Sequence, residues 1–244
     1  MHAQNELYAS KIFFNAALPL LKVIATDVPS LKAKFDKLTT VLQVSALDPE
    51  AEGGKYATHF IITEGEWETK LNAAHESPDV ELEFKNIEAM NGFFKGKIGP
   101  KTLPKMKGVV KNFPAFTAML MTLLKLSDLT GATKAPEDEA TQALMVKCFF
   151  YLLSSGISQL NKMGHTEIKE WTSKSPDRVY AFAVNGHPEV SAFIRIKAGK
   201  SRAGRGEYKR AMPFFTLRFD SLKSALGILL STDDMLEATK AGRL

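Results

Sequence analysis

Residues 78–97, PDVELEFKNIEAMNGFFKGK, pass from one hydrophobic period to another without an interruption. Val80, Leu82 and Phe84 alternate with acidic residues, and a two-residue period is the pattern of a strand with one buried face. Apolar residues then recur at helical spacing, namely Ile87, Met90, Phe93 and Phe94. The pattern therefore predicts a half-buried strand that leads directly into an amphipathic helix.

The same strand and helix occur a second time in the chain. Residues 213–229, PFFTLRFDSLKSALGIL, align with residues 78–94 without a gap, and KIFF at 11–14 matches KCFF at 147–150 at nearly the same offset. Two matches at almost one offset predict a tandem duplication with a period near half of the chain. The segment that begins at Lys11 is then the first helix of a domain, and we expect no targeting signal there.

Hydrophobic patterning elsewhere predicts a similar order of elements in both halves. In the first half it predicts helices at 11–25, 29–38 and 86–95 and strands at 39–46, 55–64, 66–71 and 79–84. In the second half, Asn185-Gly186 between RVYAFAV and EVSAFIRI is the strongest hairpin signal in the chain. Helices followed by an antiparallel meander and a closing helix indicate an α+β fold and not a doubly wound sheet.

The domain organisation follows from the duplication and from one polar stretch. SDLTGATKAPEDEAT (127–141) carries a glycine, a proline and an acidic cluster but no apolar periodicity. We predict a first domain at 1–130 that ends in an apolar helix, a linker at 131–141 and a second domain at 142–244. We expect the two halves to pack on each other.

The composition is that of an ordinary soluble domain. The chain has 244 residues, of which 45% are hydrophobic and 24% charged, with a net charge of +5. This small basic excess suits anionic partners but identifies none. A single cysteine, Cys148, excludes an intrachain disulfide and favours a reducing compartment. Apolar runs fall short of the ~20 residues of a membrane span, so we expect a cytoplasmic protein.

Catalytic and metal-binding motifs are weak in this sequence. GKS at 199–201 is not a P-loop, because the motif requires glycine where Ile194 stands. The five histidines do not form a pair on one helix face, so we expect no metal. Cys148 lies in an apolar helical run, which favours a buried inert thiol. We therefore expect neither a cofactor nor enzymatic activity.

The densest basic stretch is IRIKAGKSRAGRGEYKR at 194–210. One interpretation is a solvated, flexible hairpin loop. The other is an anion-contacting loop in which Lys200, Arg202 and Arg205 meet a lipid headgroup, a carboxylate or a phosphate. Nucleic acid is not expected as a partner, because interleaved aromatic residues that would stack on bases are missing.

FPAFTAMLMTLLKLSDL at 113–129 is apolar on nearly every side of its predicted helix. This helix is either buried between the two halves or forms a lid over an apolar cavity. The side chains that would form the lid are Met119, Leu120 and Leu123.

The order of elements, the passage PDVELEFKNIEAMNGFFKGK and the continuation KGKIGPKTLPKMKG resemble the sterol carrier protein type 2 family. AGRL at 241–244 is similar to the strand start that follows the short helix in that family. The resemblance covers most of 11–126 and 144–244. It implies two domains, each a five-stranded, mostly antiparallel sheet covered by helices around an apolar cavity. It also implies that the second copy stops short of a final strand and helix.

The resemblance further implies non-catalytic binding, and transfer or sheltering, of a fatty acid, acyl chain or sterol-like lipid. Each methylene buried in such a cavity contributes about 0.8 kcal/mol. The expected cavity walls are the inner strand face and the short helix. In the first half these residues are Phe60, Ile62, Leu82, Phe84, Met90, Phe93 and Phe94, and in the second half Phe193, Phe215, Leu217, Phe219, Leu226 and Leu229.

A second hypothesis is a protein-interaction or scaffold module whose cavities are filled by its own side chains. The candidates for filling them are Phe93, Phe94, Phe214 and Phe215. Under the first hypothesis, the expected partners are a lipid or other apolar small molecule and, transiently, an anionic membrane surface.

Overall fold

The computed structural model describes residues 3–244. The chain separates into two compact units, Met1–Ser127 and Asp128–Leu244. Helix α5 passes from the first unit into the second and ends at Gly131, and the next helix begins at Glu139. The segment predicted as a linker therefore starts at the last residue of one helix and runs into the first turns of another.

The first unit is a five-stranded sheet with helices on one face. Its helices are α1 (Gln4–Ile12), α2 (Leu20–Asp27), α3 (Pro29–Phe35), α4 (Ile87–Phe94) and α5 (Phe113–Gly131), the last of which extends into the second unit. Its strands are β1 (Thr39–Leu47), β2 (Lys55–Thr63), β3 (Glu66–Leu71), β4 (Val80–Phe84) and β5 (Lys105–Lys107). The strand order is β3-β2-β1-β4-β5, and only the central pair β1/β4 is parallel.

The first predicted helix, 11–25, is wrong in its bounds and continuity. Helix α1 begins at Gln4, and a π-helical turn at Phe13–Ala17 separates it from α2. Pro19 has no backbone N–H to continue the ladder, and the N–H of Leu18 instead donates to the carbonyl of Phe13, 2.8 Å away. The hydroxyl of Thr58 donates to the carbonyl of Phe14, which satisfies another backbone group at this irregularity.

The second unit repeats this plan with four strands. Its helices are α6 (Glu139–Lys162), α7 (Thr166–Lys174), α8 (Leu222–Leu229) and α9 (Met235–Lys240). Its strands are β6 (Arg178–Val184), β7 (Ala192–Lys197), β8 (Lys200–Arg205) and β9 (Phe215–Phe219), in the order β8-β7-β6-β9. Helix α6 packs across β7 and β8. The predicted α+β class with mostly antiparallel sheets is confirmed.

Strand register supports the predicted duplication. Leu42, Val44 and Ala46 of β1 pair with Val80, Leu82 and Phe84 of the parallel strand β4. In the second unit Tyr180, Phe182 and Val184 pair in the same way with Phe215, Leu217 and Phe219. The short helix that follows is capped equivalently in both units. The side chain of Asn86 accepts a hydrogen bond from the N–H of Ala89, and that of Ser221 accepts one from the N–H of Ser224.

Residues 241–244 do not form the predicted strand start. They follow α9, and the guanidinium of Arg243 forms an ion pair with Asp233 while its carbonyl accepts from the N–H of Asp220. In the described part of the second unit, β9 therefore pairs with β6 alone, whereas its counterpart β4 pairs with both β1 and β5.

Two helical stretches, Gln4–Asp27 and Glu139–Lys162, are long and apolar enough to cross a membrane if only length and composition are considered. In the 18-residue window of each stretch that meets this criterion, 56% and 50% respectively are buried inside the protein. Core helices of soluble proteins have the same property, so the two stretches are weak indicators of a membrane span.

Candidate functional site

The sheet face that points away from the helices, called the outer face below, differs between the two units. In the first unit it holds a buried ionic network around Glu81, whose side chain is 3% exposed. The carboxylate accepts hydrogen bonds from Gln43 and Ser45 of β1, both at 2.7 Å, and from Lys55 at 2.8 Å. Lys107 of β5 donates to both Glu81 and Glu83.

This network keeps Glu81 ionised. Burial raises the pKa of a carboxyl group, but hydrogen bonds from Lys55, Ser45, Gln43 and Lys107 outweigh burial and lower the pKa of Glu81 to about 2. The pairing also raises the pKa of Lys107, chiefly through its hydrogen bond with Glu83. A permanently charged and fully paired carboxylate joins β5 to the sheet but is poorly suited to accept or release protons near neutral pH.

Two histidines complete this face. The rings of His59 and His75, distant in sequence, lie 5.2 Å apart, and Nδ1 of His59 is 2.8 Å from the carbonyl of Ala73. Among residues 3–244 no group of three or more histidine, cysteine or acidic side chains is placed to hold a metal ion. His2 lies outside the described residues.

The second unit has small residues at three positions of the network and Arg218 at the position of Glu83. Strand register places Ala181 where Gln43 stands, Ala183 where Ser45 stands, and Thr216 where Glu81 stands. The volume that polar side chains fill in the first unit is therefore free for other atoms in the second.

The chain crosses this outer face between β8 and β9, at residues 206–214. Tyr208 in this crossing segment stacks edge-to-face on Phe193 of β7, with ring centroids 4.9 Å apart. Gly204 of β8 makes the arrangement possible, because a Cβ at that position would lie 2.1 Å from the Phe193 ring. The two aromatic rings thus form an apolar wall over the sheet.

Two clefts lie beside the crossing segment. The larger has a volume of about 350 Å³ and is lined by the Phe193 and Tyr208 rings together with Arg195, Arg202 and Arg210. The smaller, of about 200 Å³, has Ala181, Ala183 and Thr216 among its walls. Both clefts share Glu207, Tyr208 and Lys209, so they lie on either side of the same three residues. We call this pair the outer clefts.

The arginines of the larger cleft differ in whether an acidic residue pairs with them. Arg195 is held by Asp177 through two hydrogen bonds of 2.8 and 2.5 Å, and this guanidinium lowers the pKa of Asp177. Arg202 and Arg210 form no ion pair with any residue that the structure describes. Every arginine of the chain lies between positions 178 and 243. Since arginine binds carboxylate and phosphate bidentately, the second unit carries the better groups for an anion.

The basic stretch 194–210 is a β-hairpin followed by the start of the crossing segment. Residues 194–205 form most of β7, a tight turn and β8, with both turn residues, Ala198 and Gly199, at positive φ (49° and 74°). Lys200 and Arg202, two of the predicted anion contacts, lie exposed on β8 and line an open depression of about 670 Å³ at the hairpin tip. Arg205, the third, points to the helix side, where its guanidinium lies 4.9 Å from the Tyr151 ring.

The residues predicted to line a cavity in the first half lie on the helix side of the sheet and in α4. Phe60, Ile62, Phe84 and Met90 are fully buried and Leu82 nearly so. Phe93 and Phe94 are half-buried and pack around Phe84, at centroid distances of 5.5 and 5.7 Å. Phe94 also stacks on Phe13 at 4.0 Å. Their assignment as ligand contacts remains a prediction.

The second half requires two corrections. Phe193 was expected on the inner face but lies on the outer one, because Ile194 and Ile196 occupy the inward positions of β7. Phe215, expected in a cavity wall, is 52% exposed, since β9 is an edge strand among the described residues. Phe219 and Leu226 are buried, and Leu217 and Leu229 are half-buried.

The structure also shows where the aromatic residues expected to fill a cavity and the residues expected to form a lid lie. Phe214 is exposed and lies under the guanidinium of Arg178, 3.6 Å from it, so neither Phe214 nor Phe215 fills a cavity. In α5, Met119 and Leu123 are buried while Leu120 is 40% exposed. Their role as a lid remains a prediction.

Sequence reasoning did not single out Tyr208, Ala181 or Ala183. Lys209 and Arg210 were noted only as members of a basic stretch. The available signal was the comparison of the two copies, in which Gln43, Ser45 and Glu81 align with small residues. That comparison needs strand register, which short hydrophobic patterns do not supply.

Comparison with known proteins gives matches only among solved structures. A scan of protein-family models and a search of curated proteins return no match. The crystal structure of sterol carrier protein 2 is similar over 47% of this chain and 95% of its own, with 14% identity and a TM-score of 0.36. A solution structure of a conserved hypothetical protein from Thermus Thermophilus, "possibly sterol carrier protein", matches 52% of this chain and 88% of its own, with 14% identity and a TM-score of 0.31. Each match spans about half of this chain.

Proposed function

We propose that this protein binds an amphipathic anion, of the class of fatty acids and other acyl carboxylates, in the outer clefts of its second unit. The observation that carries the proposal is the presence of stacked Phe193 and Tyr208 rings beside the unpaired Arg202 and Arg210 in one cleft of about 350 Å³. Ligand sites commonly combine apolar walls with a few convergent polar groups at this scale.

The chemistry of the walls assigns the two ends of the ligand. The carboxylate meets Arg202 and Arg210, whose guanidinium groups bind carboxylates through two parallel hydrogen bonds. The acyl chain runs beneath Tyr208 toward Ala181 and Ala183, whose small side chains leave space and contribute apolar surface. Each methylene buried there contributes about 0.8 kcal/mol.

The role proposed is binding, with transfer or sheltering of the ligand, and not its conversion. Lipid binding is also what the resemblance of residues 78–97 to the sterol carrier protein type 2 family implies. The site proposed here is on the outer face, and the inner face that the resemblance implies remains the alternative location.

A scaffold role is a second candidate for the first unit. There Phe93 and Phe94 pack around Phe84, and Phe13 stacks on Phe94, so side chains of the protein itself occupy the space between α4 and the sheet. The outer face of the same unit is filled by the Glu81 network. The two units can therefore divide structural and binding roles.

Displacement of a fluorescent fatty acid tests the proposal. We expect micromolar or tighter binding by the full chain, weakened at least about ten-fold in an Arg202→Gln/Arg210→Gln variant, because two charge-assisted contacts are lost. Lys223→Gln/Lys240→Gln, at exposed positions of α8 and α9, removes the same charge and should bind as wild type. A fatty alcohol of equal length should not distinguish the arginine variant from wild type.

Two results would refute the proposal. One is the absence of displacement by any acyl carboxylate at micromolar concentration. The other is binding that the arginine variant retains in full, which would move the head-group site away from the outer clefts.

A further inference from the structure

An irregular segment of the first unit exposes apolar and cationic side chains together. Residues 95–113, KGKIGPKTLPKMKGVVKNF, connect α4 to α5 and include β5; we call them the lysine segment. Val110 is 97% exposed and Ile98 70% exposed. Three further apolar side chains are exposed by more than half, namely Leu103, Met106 and Phe113.

The charge of this segment has one sign. It contains no aspartate or glutamate, and none occurs between Glu88 and Asp128. The acidic residues that form ion pairs with it are Glu6, which lies 3.6 Å from Lys95, and the Glu81–Glu83 pair, which holds Lys107. The remaining lysines form no ion pair with any described residue, namely Lys97, Lys101, Lys105 and Lys111.

Hydrogen bonds hold the segment in place, so the exposed side chains belong to a defined surface. The hydroxyl of Thr102 donates to the carbonyl of Lys97 and accepts from the N–H of Gly99. Asn112 donates to the carbonyl of Asp79 at 2.8 Å. Gly108 has φ of 73° and lies so close to the Asp79 carbonyl that a Cβ would be 1.8 Å from that oxygen.

We propose that the lysine segment docks the protein on an anionic lipid bilayer. Its lysines face anionic headgroups, and the side chains of Ile98 and Val110 enter the interface between headgroups and acyl chains. One weak hydrophobic signal combined with a polybasic signal is sufficient for reversible membrane binding. Lysine suits this arrangement because its long apolar stem reaches along the interface while the ammonium stays in water.

The same features argue against a protein partner on this surface. Protein interfaces are depleted in lysine and enriched in arginine and aromatic residues, whereas the lysine segment has no arginine and a single exposed aromatic residue, Phe113. Its apolar side chains are separated from one another by charges and do not form the groove or helix face that peptides use. A fluid bilayer can accommodate such a dispersed set.

Sedimentation of the full chain with vesicles tests the inference. We expect binding to vesicles of phosphatidylcholine with roughly one third phosphatidylserine, no binding to phosphatidylcholine alone, and release at high salt. The triple change Lys97→Gln/Lys101→Gln/Lys111→Gln should weaken partitioning about a hundred-fold, since each lysine near the surface contributes roughly five-fold. Ile98→Ser/Val110→Ser should weaken it roughly ten-fold at unchanged charge.

The matched control is Lys32→Gln/Lys34→Gln/Lys37→Gln, which removes the same charge from exposed positions at α3 of the same unit. It should bind within about two-fold of wild type, because the effect depends on position. Equal loss in the control and test variants, full binding by the test variant, or equal binding to neutral vesicles would overturn the inference. The fatty-acid experiment changes arginines of the second unit, whereas the vesicle experiment changes residues of the lysine segment. Failure of one proposal therefore does not imply failure of the other.

Discussion

The carboxylate of Glu81 accepts a hydrogen bond of 2.8 Å from the ammonium of Lys55 on the outer face of the first sheet. Gln43, Ser45 and Glu81 of this network occupy positions that are alanine or threonine in the second unit. Duplicated sheets have thus diverged on one face, toward a sealed polar network in one copy and toward open clefts in the other.

Removal of the charge on Glu81 should destabilise the first unit. In a Glu81→Gln variant, Lys55 and Lys107 lose one of the two carboxylates that they contact and keep only Glu83. The difference between the ordinary pKa of 4.5 and about 2 in the folded protein corresponds to roughly 3 kcal/mol of unfolding free energy at neutral pH. Urea unfolding followed by Trp67 fluorescence in a Trp171→Phe background measures the change. An unaltered midpoint would contradict the assignment.

The same carboxylate should make stability depend on acid pH. Because the folded pKa of Glu81 lies below its unfolded value, its stabilisation is complete above pH 4.5 and is lost as pH falls toward about 2. Unfolding free energies of wild type and Glu81→Gln should converge over this range. If the difference between the two proteins stays constant from pH 6 to about 2, ionisation of Glu81 is not the cause.

Gly204 should be intolerant of any side chain. The Cβ of a Gly204→Ala variant would lie 2.1 Å from the ring of Phe193, and we expect a loss of about 1–3 kcal/mol in unfolding free energy. A Phe193→Leu change in the same chain should recover part of this loss, because a smaller side chain leaves room for the methyl group. Thermal unfolding of the single and double variants gives the coupling energy, and additive losses would show that the two residues are independent.

The N-caps of helices α4 and α8 should contribute similarly to the free energy of unfolding. Asn86 accepts from the N–H of Ala89 at 2.8 Å, and Ser221 accepts from the N–H of Ser224 at 3.2 Å. Replacement of either residue by alanine should cost about 1 kcal/mol. The exchanges Asn86→Ser and Ser221→Asn keep a capping side chain and should cost less than half of that. Denaturation midpoints of the four variants decide this, and an alanine change without effect would contradict equivalent capping.

The sequence predicted β1 to β4 and the short helices α4 and α8 well because their signals are local. Alternation in DVELEF requires no knowledge of distant residues, and β4 lies where it indicated. The predicted tight hairpin at Asn185-Gly186 is wrong, because a 3₁₀ turn at Pro188–Val190 lengthens the connection and β7 begins only at Ala192. The π-helical turn before Pro19 was missed, because a missing backbone donor does not determine how the chain compensates.

The candidate site was less predictable for a physical reason. Whether Phe193 faces inward or outward depends on a one-residue register, and Ile194 beside it is equally apolar. The outer clefts also depend on where the crossing segment 206–214 lies, which is a tertiary property that local patterns do not determine. Charge alone correctly directed attention to 194–210, but it did not indicate two paired strands.

The most direct test of the account is an amide chemical-shift titration of the isotopically labelled full chain with a long-chain fatty acid. If the ligand occupies the outer clefts, the amide signals of Ala181, Gly204 and Tyr208 should shift in a saturable manner. The signals of Phe60, Phe84 and Met90 on the helix side of the first sheet should stay in place. Saturable shifts at those three residues, with the outer clefts unchanged, would contradict the central claim and locate the ligand in an inner cavity.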